Sequence, residues 1–131
     1  MEIAILLPIL LLLVLGTFDF GRVLFFKIVT TNAAREGANY ISRNPDDKTN
    51  CSGTPSICYQ DTLAITMQEA DSSGLTLLPA NIEVTDCCTS GAAVTVTISK
   101  SINLMFEKTL ILLKIVDGPI EIHSAARMMV Q

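Results

Sequence analysis

The pattern of apolar and polar positions changes period along this chain. From Ile3 to Phe18 no residue is charged. A helix that is apolar on every side has to be buried all round, in lipid or in protein. From Asp19 onward the run becomes amphipathic. At ~100° per residue, Val23, Phe26, Val29, Thr30, Ala33, Gly37, Tyr40 and Ile41 share one face. Lys27, Thr31, Asn32, Arg35, Glu36, Asn39 and Arg43 share the other. The small residues of the first face allow a close approach by a partner. The pattern predicts one stalk helix over residues 1–43, ~60 Å long. Its lower half is lipid-soluble and its upper half needs one apolar partner. It leads into a globular head, residues 44–131.

Past the stalk, Arg43 to Tyr59 reads as a loop. Asn44-Pro45 ends the helix, because the residue before proline avoids the α region. Asp61 to Ser73 reads as a short helix packing on a sheet. Asp61 is its expected N-cap, Gly74 its terminator, and Leu63, Met67 and Ala70 its inner face. Near residue 81 the period drops to two. Asn81 to Asp86 and Ala92 to Asn103 read as strands, with Val94, Val96 and Ile98 alternating with Thr95, Thr97 and Ser99. Cys87 to Gly91 is the turn of that antiparallel hairpin. The buried face of the hairpin is expected to meet the small-residue stripe of the stalk. Asp117-Gly118-Pro119 is a turn, and Ile120 to Val130 closes the sheet as a third strand. The expected fold is therefore α+β, a helical stalk carrying a small antiparallel sheet and one short helix.

Leu104 to Val116 is a second apolar stretch. It is too short to span a bilayer and contains Glu107, Lys108 and Lys114. It either folds onto the head or offers an apolar patch to neighbouring molecules.

Several stalk positions carry meaning of their own. Pro8 removes one backbone donor and is expected to kink the helix. Pro8 and Gly16 are tolerated inside membrane or fibre helices far better than in water. Asp19 and Arg22 stand three apart and can pair on one face, either locally at the membrane surface or between copies.

Charge and cysteine content then pull in opposite directions. No Lys or Arg precedes the apolar run, while Arg22, Lys27, Arg35 and Arg43 follow it. That asymmetry would leave the head in the cytoplasm. Four cysteines in a small head indicate an oxidising compartment. The two agree if this is a mature chain from which a short basic leader has been cut before Met1. Cys51 and Cys58 lie in the loop, and Cys87 and Cys88 are adjacent in the turn. A bridge between adjacent residues is strained, so two bridges from loop to turn are favoured. Each is worth ~3 kcal/mol through restriction of the unfolded chain. A metal is the alternative, but neither pair has C-x₂-C spacing. Asn50-Cys51-Ser52 also matches a glycosylation acceptor.

A net charge of -4 makes nucleic acid an unsuitable partner. No phosphate loop, metal-binding helix or Ser-His-Asp set is present, and His123 sits in a strand pattern as a packed or edge residue. No catalytic residue and no cofactor is expected.

Met1-Glu2-Ile3-Ala4, Pro8, Asp19-Phe20-Gly21-Arg22 and Thr31 to Ala38 together resemble the TadE-like family of Tad-type pilus proteins. The last two strands, VTVTISKSINL and IEIHSAARMMV, are also similar to that family. The resemblance implies a type IV pilin-like lollipop that is cleaved by a prepilin peptidase at the inner membrane. It also implies a place in a cell-surface filament or its base, with identical subunits as partners. Pilin-like proteins carry a glutamate at mature position five, whereas here it stands at position two.

An ionised Glu2 beside an uncharged run has no counter-charge in its own first turns. The free amine of Met1 on a staggered neighbour is the expected partner, worth about 4 kcal/mol at ~4 Å and an effective dielectric near 20. The expected function is a structural subunit whose stalks bundle into a filament. A minor, priming subunit of the same machinery is the first alternative. A monomeric membrane-anchored binding domain is the second, although the head has few aromatic residues to build a pocket.

Overall fold

The computed structural model describes residues 2–44, 57–85, 91, 93–104 and 119–130. A single helix, α1 (Glu2–Arg43), runs without interruption through Pro8. A second helix, α2 (Ile57–Ser72), follows. Three strands complete the fold: β1 (Ile82–Thr85), β2 (Ala93–Ile102) and β3 (Ile120–Met129). They form one antiparallel sheet in the order β1-β2-β3. This is the α+β lollipop that the change of period implies.

Helix α2 begins four residues earlier than the sequence suggests. Ile57 to Tyr59 are helical, and Asp61 lies within the helix instead of capping it. Cys58 is accordingly a helix residue. Asp61 finds a different use, since the Tyr40 hydroxyl reaches its Oδ2 at 3.5 Å. The far end behaves as read. Gly74 adopts a positive φ of 77°. Its N–H donates to the Asp71 carbonyl at 2.8 Å, and the Leu75 N–H donates to the Ala70 carbonyl at 3.0 Å. These are the two bonds of a Schellman stop, and the accompanying apolar contact is present in the burial of both Ala70 and Leu75.

In the sheet, Ile82 pairs with Ile98 and Val84 with Val96 across β1 and β2. Val96 pairs in turn with Ala126, and Ile98 with Ser124, across β2 and β3. Val94, Val96 and Ile98 are fully buried, as their alternation requires. They pack with Ala33, Ala34, Ala38 and Ile41 of α1 in one core.

The upper half of α1 has two partners where one was expected. The sheet lies on one side, through Lys27, Thr30 and Thr31. Helix α2 lies on another, through Gly37 and Tyr40. At ~100° per residue these two faces are centred ~100° apart. Lys27 and Thr31 therefore reach the sheet from the face read as polar, Lys27 while remaining exposed. Helix α2 takes α1 as its main neighbour and not the sheet. Leu63 and Ala70 of its expected inner face are buried and Met67 is half-buried. Thr62 and Thr66, which hydropathy alone would place outside, are fully buried with them. A helix held between two layers has room only for small side chains, which accounts for Ala33, Ala34, Gly37 and Ala38 together.

Candidate functional site: the stalk surface

Below the head the stalk has almost no cover within its own chain. Ile3, Leu10, Leu12 and Leu13 are each about two-thirds exposed or more. Phe18 and Phe20 are similarly open, at 70% and 64%. Leucine side chains on every side of a helix leave no polar face to turn toward water. One helix among the described residues, reaching from Leu6 to Arg43, is long and apolar enough to cross a membrane, with a mean hydropathy of 2.1 over its best 18-residue window. At 1.5–3 kcal/mol for each large side chain removed from water, the run demands lipid or other protein.

Within this surface, Leu13, Val14, Thr17, Phe18, Gly21 and Arg22 line an apolar groove of about 560 Å³. Gly21 forms its notch, since nothing stands within 4 Å of where a Cβ would be. The Thr17 hydroxyl is turned inward and donates to the Leu13 carbonyl at 2.8 Å, so the groove keeps its apolar wall. Gly16 is equally unobstructed.

Asp19 and Arg22 do not form the local pair that their spacing allows. Asp19 is buried, at 8% exposure, amid otherwise open residues. The Arg22 guanidinium instead lies over the ring of Phe26, 5.5 Å from its centroid. Phe26 is itself tilted against Phe25 at 5.7 Å. A cation is thus held on the stalk at the level where the head begins.

The junction of stalk and head is fastened by polar bonds. Lys27 Nζ donates to the His123 carbonyl. The Thr30 hydroxyl, which donates to the Phe26 carbonyl at 2.9 Å, also meets Ser124 Oγ at 2.8 Å. Thr31 Oγ1 approaches the same Ser124 at 3.3 Å. These bonds fix the angle at which the stalk leaves the sheet.

His123 is in a strand, as read, and its side chain is on the outer sheet face. Its Nδ1 is 3.0 Å from Ser99 Oγ, its direct cross-strand neighbour, and its Nε2 is 3.3 Å from Glu121 Oε2. That order of groups resembles a hydrolytic triad, which the linear sequence did not reveal. The imidazole and carboxylate side chains are both 61% exposed. Solvent surrounds them, and neither the groove above nor the smaller depressions on the upper stalk and the head contain them.

Other expected site residues fall elsewhere. Met1, Asn50, Cys51, Cys87 and Cys88 lie outside the described residues, as does the apolar stretch from Met105 onward. Glu2 is the first residue of α1. Among the described residues no cluster of three or more His, Cys, Asp or Glu could hold a metal ion.

Neither a curated protein nor a solved structure matches this chain. The stalk does find a family. Residues 1–39 match the family model described as TadE-like protein, so the helix that forms this surface is similar to that family.

Proposed function

We propose that this chain is a structural, pilin-like subunit that polymerises through α1 into an extracellular filament of the Tad, type IV-like kind. The TadE-like match supports a pilus-associated, pilin-like protein. The observation that carries the reading further is the stalk surface. From Ile3 to Phe20 every described residue but Asp19 is exposed, while the small residues of the upper half of α1 are buried against the sheet and α2. Such a surface is stable in the inner membrane before assembly and against the stalks of identical subunits afterward. Leader removal by a prepilin peptidase would precede that transfer. The role is structural and not enzymatic, and it involves neither a cofactor nor nucleic acid.

The test is to shear filaments from producing cells, image them by electron microscopy and identify the peptides they contain. This chain is expected as a principal component of the shaft. Its presence in the membrane fraction alone, with filaments made of another protein, would overturn the reading in favour of a minor or anchored role.

A further inference from the structure

The exposed apolar surface of α1 is longer than a bilayer requires. Ile3 to Ile28 covers 26 residues, ~39 Å of helix against a hydrocarbon core of ~30 Å. The excess lies at the upper end. Lys27 is bonded to the His123 carbonyl, so the sheet end bearing Glu121 and His123 stands level with the last turn of this run. Drawing that turn into hydrocarbon would draw charged head residues with it. Leu24, Phe25 and Ile28 nevertheless remain 46%, 49% and 60% exposed. At ~100° per residue they occupy an arc of ~100° on the side away from sheet and α2. Arg22 borders the arc from below, and it makes no ion pair with any described residue.

We propose that this patch is covered by the first turns of the stalk of a second copy, lying parallel and raised by ~30 Å, with Glu2 of that copy against Arg22. The inference rests on the filament reading above and specifies which surfaces meet. The occupant is identified by charge complementarity. It has to be apolar, helical and acidic at its lower end. Glu2 followed by the uncharged run from Ile3 has that chemistry. No other acid of the chain is followed by so long an uncharged apolar run. With Glu2 beside Arg22, Leu6, Leu7 and Ile9 of the raised copy run beside residues 26–29, the level of the open patch. All three are more than half exposed. A guanidinium and a carboxylate can meet through two parallel hydrogen bonds, so the contact fixes axial register, which leucines specify weakly. A lipid phosphate could also meet Arg22, but its acyl chains lie below and leave Leu24, Phe25 and Ile28 uncovered.

The experiment has two arms in producing cells. In the first, Arg22→Glu and Glu2→Arg are made singly and together, with carbonate extraction and protease resistance of the head as controls for insertion and folding. Each single reversal is expected to lower sheared-filament yield at least about ten-fold, and the double reversal to recover most of it. In the second, p-benzoylphenylalanine replaces Phe25 in assembled filaments. Irradiation is expected to capture a peptide from residues 1–9 of another copy. Normal filament yield from Arg22→Glu, no recovery in the double reversal, or capture of lipid alone would each overturn the proposed contact. In all three, wild-type filaments containing this chain leave the filament reading standing. Their absence from wild-type cells would remove both.

Discussion

Gly37 of the stalk helix and Thr66 of α2 approach so closely that a Cβ at Gly37 would overlap the Thr66 hydroxyl. That hydroxyl is buried and finds no hydrogen-bond partner among the described residues. Thr62 presses on the same spot, its methyl 3.5 Å from the added atom. Gly37→Ala sets two effects against each other. Alanine gains up to about 1 kcal/mol of helix propensity, while overpacking a closed interface costs about 1–3 kcal/mol. Threonine is stiff at χ1 and cannot easily turn aside. The expected outcome is net destabilisation by about 1 kcal/mol, read from thermal unfolding of the full chain in detergent. In a Thr66→Ala background the same change is expected to cost nothing or to stabilise, since the obstructing group is gone.

Thr66→Val should raise stability on its own. It keeps the shape of the side chain and removes a buried hydroxyl that lacks a partner, a group whose desolvation costs about 1–3 kcal/mol. An unfolding midpoint at or below that of the native chain would show that the hydroxyl is satisfied in solution.

Thr30 and Ser124 form a second test, in which the two partners should respond unequally. After Ser124→Ala, the Thr30 hydroxyl keeps the Phe26 carbonyl at 2.9 Å and the Lys27 carbonyl at 3.1 Å. After Thr30→Val, the buried Ser124 hydroxyl keeps only the longer contact to Thr31 among those described here. Thr30→Val is therefore expected to cost about 1 kcal/mol more than Ser124→Ala. Equal losses would mean that the hydroxyl–hydroxyl bond has no separate weight.

Membrane retention should depend on the lower stalk alone. Leu12→Lys places a charge in the middle of the uncharged run, where insertion scales charge about 2.5–3.5 kcal/mol. The variant is expected to shift from the membrane pellet toward the carbonate-soluble fraction, with the head still protease-resistant. Lys27→Ala, at the stalk–head junction, should leave retention unchanged.

The cysteines are expected to be oxidised in exported protein. Intact mass after thiol alkylation, with and without reductant, decides the point. Four alkylated thiols in the unreduced sample would exclude both bridges. Because Cys58 is on α2, a bridge from it would tie the helix that flanks the stalk, and reduction would then lower the unfolding midpoint.

The sequence alone determined the stalk, because a run without charge from Ile3 to Phe18 leaves a helix no polar face to turn toward water, whatever follows it. It also determined the three strands and their buried face, since period two in Val94, Val96 and Ile98 is a local property of the pleat. The stop at Gly74 was legible for the same reason, since a left-handed turn depends on one residue. What tertiary structure decided is how these pieces share the upper stalk. Hydropathy marked one small-residue face on α1, but not that it divides between a sheet and a helix. Thr62 and Thr66 are polar by type, and only the absence of a side chain at Gly37 brings them inside. Lys27 reads as a solvent residue until a β3 carbonyl ninety-six positions away comes within its reach. Asp19 and Arg22 are neighbours by spacing, yet a ring one turn above takes the guanidinium. In each case the deciding partner is remote in sequence or set by packing, and periodicity carries no information about it.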